Sequence, residues 1–237
     1  MQLNSTVRND HAFNRVDLIA TIGLVLIVAV LTVRHLSGKH SAARDKAERI
    51  KCAGNHKQIG LAFKVFANDH DDKFPYLVTN SLGYGNVTQA WLHFQAMSNE
   101  CGSAKILVCP SDRERWNILM SDFGLGPTAT ATSLSSKSNR AVSYTIGLGA
   151  DETQPNAILA SDRHVEVTPF NLEGRLFRFI TNGSQVVNWS AAQHNGAGNI
   201  ALSDGSVQQV TSGGLAEQAR QQSLAGVTNR LLLPLLP

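Results

Sequence analysis

The 237-residue sequence is short of several things, and each shortage excludes something. Its net charge is only +3 and aromatics make up 6% of it. No block of Lys and Arg interleaves with aromatics, so the electrostatic footprint of a nucleic-acid binder is missing. Three cysteines permit at most one internal disulfide and leave an odd thiol. Without Cys-x2-Cys or His-x3-His spacing, no zinc motif is written in the chain. No G-x-S-x-G, H-E-x-x-H, phosphate loop or dinucleotide fingerprint occurs, which removes the local signatures of common enzyme classes. A triad assembled from distant residues would leave no such trace.

What the sequence does have is a long apolar run, Ala12 to Val33, AFNRVDLIATIGLVLIVAVLTV. Leu18 to Val33 alone is sixteen residues without a charge. As a helix that is about 24 Å, and counting back to Phe13 brings it near bilayer thickness. A cleaved secretory signal would end in a small-x-small site, but Arg34, His35 and Leu36 follow, so the segment is expected to stay on the mature protein. Asp17 stands inside the run, where a carboxylate costs about 2.5–3.5 kcal/mol and therefore calls for a cationic partner or a role. With 43% apolar and 16% charged residues, the remainder is globular in composition and large enough for one domain with its own core.

Beyond the anchor, Ile59, Ala62, Phe63 and Phe66 follow the i, i+3, i+4, i+7 spacing of a buried helical stripe, predicting a helix over Ser41–Phe66. Asp69, Asp71 and Asp72 begin like a calcium loop but lack the Gly and distant Glu of an EF-hand. The preferred reading is a solvated turn ending the helix, with calcium as the one cofactor the sequence suggests at all. Trp91–Met97 reads as a short helix and Lys105–Pro110 as a strand stopped by its Pro. Gly124–Asn139 is small, polar and without period, and reads as a mobile surface loop. Strands are expected over Ala141–Leu148 and Ala157–Ala160, with Asp162 and Arg163 as a structural ion pair at a strand end. Asn199–Ser203, Asp204-Gly205 and Ser206–Val210 form a hairpin signal, with Asp-Gly predicting a type I′ turn. Leu215–Leu224 reads as a closing helix. The apolar tail Leu231–Pro237 is too short to span a bilayer.

Ala12-Phe13-Asn14-Arg15-Val16-Asp17-Leu18-Ile19 resembles the cleavage and methylation segment of type IV prepilins and type II secretion pseudopilins, G-F-T-L-I-E-L-L. Ala replaces Gly before the cut, Asp replaces Glu, and Arg15 stands where an apolar residue is usual. The resemblance implies cleavage by a prepilin peptidase between Ala12 and Phe13 and methylation of the new amine. It also implies that Asp17 pairs with a neighbouring subunit's N-terminus during assembly. Cys52–Ala62 with Asp69–Pro75 resembles the C-x-N-N-L-K-Q-I-G-L-A and D-G-K-F-P blocks of pseudopilin-like proteins from planctomycete and verrucomicrobial bacteria, and Ile106–Asp112 resembles their L-x-C-P-x-D element. His194, Asp204 and Gly205 match their H-x9-D-G signature. Because Cys52 and Cys109 both lie in resembling blocks, the resemblance favours a bridge between them, with Cys101–Cys109 as the short-loop alternative. His194 and Asp204 would be a metal or acid/base pair in a functional reading. The preferred reading is a hydrogen bond pinning a loop to the hairpin.

The fold expected is therefore α+β and pilin-like: a long N-terminal membrane-spanning helix packed on a small antiparallel sheet. Residues 1–12 would be leader, 13–35 the transmembrane and assembly helix, 36–75 the rest of the long helix with its acidic turn, and 76–237 the head. More bases follow the anchor than precede it, which alone would place the head in the cytoplasm. The prepilin-like start implies the reverse: an inner-membrane, single-pass chain with a cytoplasmic N-terminus and a periplasmic head. Its partners would be a prepilin peptidase, other pilin-like subunits and inner-membrane lipid, with no nucleic acid and no enzymatic role. The competing expectation is a signal-anchored periplasmic binding or enzymatic domain.

Overall fold

The computed structural model describes residues 14–78, 89–118, 120–168, 172–173, 176–179 and 186–235. It is α+β and divides into two compact units, Met1–Arg44 and Asp45–Pro237. One element, α1 (Arg15–Asn68), contributes to both.

In the first unit, α1 starts at a local cap. Asn14 accepts at its carbonyl from Leu18 N at 3.1 Å, while Asp17 Oδ2 accepts from Asn14 N at 3.2 Å. This is half of a capping box, and an acid in the first turn also suits the helix dipole. Arg15–Arg34 is 20 residues of mean hydropathy 2.7, with no residue buried. At 1.5 Å per residue it is about 30 Å long, the thickness of a bilayer's hydrocarbon core. The two threonines bond inward, Thr21 to the Leu18 carbonyl and Thr32 to that of Ala29, so neither hydroxyl proton is left unpaired.

In the second unit the later part of α1 buries one stripe: Cys52, His56, Ile59, Phe63 and Phe66, with Ala62 beside them. Burying each large apolar side chain contributes about 1.5–3 kcal/mol. The helix stops at two consecutive left-handed residues, Asp71 and Asp72, with Asp72 N returning to the Ala67 carbonyl at 2.9 Å. Short helices α2 (Ala90–Ala96), α3 (Ser98–Cys101) and α4 (Leu134–Lys137) follow.

Among the described residues, nine strands come next: β1 (Tyr144–Gly147), β2 (Ile158–Asp162), β3 (Val165–Thr168), β4 (Leu172–Glu173), β5 (Leu176–Phe179), β6 (Val186–Trp189), β7 (Ala197–Leu202), β8 (Val207–Thr211) and β9 (Asn229–Leu232). Helix α5 (Ser212–Leu224) lies between the last two and is capped by the Thr211 hydroxyl. Seven strands form an antiparallel sheet in the order β4-β5-β9-β1-β2-β7-β8, and β3 pairs with β6 in a separate ribbon. Alternation along the strands divides the core. Ile146, Ala201 and Leu232 join the α1 stripe, while Ile200, Leu202 and Leu231 join Leu215 and Ala219 of α5 and Trp189 of the ribbon.

Several sequence expectations need correction. Ala104–Leu107 is a 3-10 turn capped by Ser103, not a strand; an apolar run without a period fits either. The stretch Gly124–Asn139 is built rather than loose: it contains α4, Leu134 and Ser133 are fully buried, and Ser133 Oγ accepts from Thr130 N at 2.8 Å. The β7–β8 connection is a three-residue loop. Gly205 N donates to the Leu202 carbonyl, Leu202 N to the Ser206 carbonyl, and only Gly205 has positive φ. That is a turn closed by a glycine bulge, not type I′, which would also need positive φ at Asp204. The tail supplies β9, an inner strand of the sheet.

Candidate functional site

The processing residues Ala12 and Phe13 lie outside the described residues. Asp17 is described, exposed at the start of α1, and engaged with the Asn14 amide. Its carboxylate thus sits in the first turn of an apolar helix, where negative charge suits the helix dipole.

Inside the head, the structure joins Cys52 of α1 to Cys109 in a disulfide with a Cα–Cα distance of 5.2 Å. Cys101 is a free, buried thiol, pushed up to about 12 by burial with the Glu100 charge adding. The bridge fixes the 109 segment to α1, and next to it four elements converge on one buried carboxylate. Asp162 ends β2 and is 1% exposed. Its Oδ2 accepts from Asn199 N at 2.7 Å and from Asn199 Nδ2 at 3.0 Å. Its Oδ1 lies 3.2 Å from His56 Nε2 on α1, and His194 Nε2 stands 3.5 Å from Oδ2. A carboxylate oxygen accepts, so the contact is a hydrogen bond with the His56 hydrogen on Nε2 as its donor. His56 also lies edge-on to Tyr144, whose hydroxyl accepts from Asn55 Nδ2 at 3.0 Å. Burial lowers the pKa of His194, Asp162 pulling it back up and Arg49 and His56 adding to the fall. Arg49 also donates to the His194 carbonyl at 2.7 Å. His194, Asn195 and Gly196 form three consecutive residues with positive φ. The loop that presents the imidazole is therefore conformationally demanding.

His194 and Asp204 do not meet as an acid/base or hydrogen-bonded pair. His194 belongs to the Asp162 cluster, whereas Asp204 is exposed and caps its own turn, Oδ1 accepting from Ser206 N at 2.8 Å. Gly205 meets α1 instead: a Cβ built on Gly60 would lie 3.8 Å from Gly205 Cα. The exposed side chains of Asp69, Asp71 and Asp72 form the turn that ends α1 and, among the described residues, gather no shared set of ligand atoms.

Asp162 and Arg163 do not pair with each other. Neighbouring residues of an extended chain face opposite sides, and Arg163 turns to Asp112, Nε to Oδ2 at 2.7 Å and Nη2 to Oδ1 at 2.9 Å, with Glu114 also accepting from it. Burial raises the Asp112 carboxyl, but hydrogen bonds from Arg163 and His164 and the Arg163 charge outweigh it and hold the group well below the usual range. Burial pushes Arg115 down to about 10 while it donates to the Val142 and Pro234 carbonyls.

No family profile, curated protein or solved structure matches the chain. The His56–Asp162–His194–Asn199 cluster links α1, β2, β7 and the 194 loop through one buried carboxylate. Sequence reasoning placed His56, Asp112 and Asn199 in resembling blocks but gave them no role, and it assigned Asp162 the wrong partner. His56 had a signal: it lies four residues after Cys52 and three before Ile59, on the stripe that the apolar residues define.

Proposed function

We propose that the chain is a pseudopilin-like structural subunit, stored in the inner membrane and assembled through its N-terminal helix into a type II secretion pseudopilus or a type IV pilus-like filament. One observation carries the reading: α1 is apolar and unburied over Arg15–Arg34, then buries a stripe from Cys52 to Ala67 in an antiparallel α+β head. A core helix of a soluble protein would be buried along its apolar length; here Leu18, Ile19 and Leu24 are 51%, 70% and 63% exposed. Such a helix needs lipid or neighbouring helices. In this reading a prepilin peptidase cuts between Ala12 and Phe13, Asp17 receives a neighbour's N-terminal amine, and the head is periplasmic. The Cys52–Cys109 bridge fits an oxidising compartment. The head serves as a structural, non-enzymatic part.

The test is a comparison of wild type with Asp17→Ala in the native cell, following membrane fractions and cross-linked assemblies. Both chains should reach the membrane with the head accessible from the periplasm, and only wild type should cross-link to pilin-like subunits. A head found in the cytoplasm, or equal cross-linking by the Asp17 variant, would contradict the reading.

A further inference from the structure

Chemistry that a structural subunit does not use is concentrated at the disulfide. His194 Nε2 lies 3.5 Å from Cys109 Sγ, and the sulfurs of Cys52 and Cys109 and a ring nitrogen of His194 all lie within 4.8 Å of one another. We propose that the reduced chain binds a thiophilic divalent cation of the zinc type through Cys52, Cys109 and His194, so that a metal replaces the disulfide as the link between α1, the 109 segment and the 194 loop. This inference is independent of filament assembly.

The distances suit the chemistry. Zinc bonds of about 2.3 Å to sulfur and 2.0–2.1 Å to nitrogen put the S···N edge of a tetrahedron at about 3.5 Å. That edge is already present between Cys109 and His194. The two sulfurs have to part, from bonded contact to about 3.8 Å, and the Cys52 sulfur, within 4.8 Å of the His194 nitrogen, has to settle at about 3.5 Å from it. Three protein ligands leave a fourth position for water. A polar cavity of about 130 Å³, lined by Glu48, Arg49, Ser111 and Arg113 among others, reaches His194. The buried Asp162 carboxylate, 3.5 Å from His194 Nε2, places negative charge beside the cation. The second cluster of possible ligands among the described residues, Asp112, Glu114 and His164, already has a cation, because the Arg163 guanidinium bonds both carboxylates.

Electrons and protons balance. A phosphine reductant gives two electrons to the S–S bond and leaves as the phosphine oxide, taking its oxygen from water, whose two protons form the thiols. The metal then displaces both thiol protons, and the neutral imidazole binds through its lone pair.

The experiment uses the full chain in detergent, reduced by a phosphine without oxygen and titrated with Co²⁺. The expected result is one Co²⁺ per reduced chain with a thiolate-to-cobalt charge-transfer band, displaced by Zn²⁺ and absent from the oxidised chain. Cys109→Ser should abolish the band, His194→Ala should weaken binding by more than about tenfold, and Cys101→Ser should leave it unchanged. His194→Cys should restore a band stronger than that of wild type, which keeps the role of position 194 testable even if His194→Ala fails to fold. A reduced chain without the band, folded or not by near-ultraviolet dichroism, would overturn the proposal. So would a band that persists in Cys109→Ser, or one no stronger in His194→Cys.

Discussion

Removing the Asp162 carboxylate should loosen the whole head. The group is buried and receives Asn199 N at 2.7 Å, Asn199 Nδ2 at 3.0 Å and His56 Nε2 at 3.2 Å. Asp162→Ala leaves those donors buried without an acceptor, at about 1–3 kcal/mol each. In a unit of this size 1 kcal/mol moves Tm by about 2–4 °C, so three such donors should lower the midpoint by at least about 6 °C. Asp162→Asn keeps an oxygen for Asn199 and turns its amide to His56, which can accept through its other neutral tautomer. That change should cost about 1 kcal/mol, one neutral hydrogen bond exchanged for another. Urea unfolding of the detergent-solubilised chain, followed by fluorescence of Trp91, Trp116 and Trp189, measures both variants. If Asp162→Ala unfolds within 1 kcal/mol of wild type at an unchanged denaturant slope, Asp162 is not the joint of the head.

The Cys52–Cys109 bridge spans 57 residues, so Cys52→Ser with Cys109→Ser should lose about 4 kcal/mol in the chain-entropy limit, read from the same urea curves. Two pH effects share a sign. The lowered Asp112 pKa contributes stability above the ordinary carboxyl range that is lost as pH falls below about 4, and the lowered His194 pKa contributes stability lost as pH falls below about 6.5. Stability should therefore decline on acidification in two steps. Asp112→Asn should remove the lower one and His194→Gln the upper one in melts taken across pH. Gly60→Ala should be neutral or stabilising by up to about 1 kcal/mol, because its Cβ meets Gly205 Cα at an ordinary 3.8 Å. Gly147→Ala should impair folding, since its Cβ would lie 1.7 Å from the Ile158 carbonyl oxygen, and thermal melts of the two variants separate these outcomes.

The helical parts were legible because they rest on local period. Ile59, Ala62, Phe63 and Phe66 repeat at helical spacing, and all four are buried. The β7–β8 hairpin was legible because Asp204-Gly205 stands between two short strand-like runs; the turn type was not, because an Asp-Gly pair serves more than one hairpin turn and here the loop closes through Gly205 N to the Leu202 carbonyl. What could not be read was anything made by distant segments. Asp162 and Arg163 look paired in sequence yet serve opposite sides of the chain, and their partners lie 37 and 51 positions away, at Asn199 and Asp112. The inner position of β9 is likewise a long-range fact, settled by pairing with β1 and β5. Gly124–Asn139 looked loose because its order comes from the buried Leu134 and from hydroxyl contacts among Thr130, Thr132 and Ser133, which leave no period.

The central claim concerns processing and assembly, and intact-mass and N-terminal analysis of the chain recovered from its native membrane tests it most directly. A mature chain that begins at methylated Phe13 is the predicted result. A chain that still carries Met1 to Ala12 would contradict it, leaving a plain membrane anchor and moving the search for function to the head.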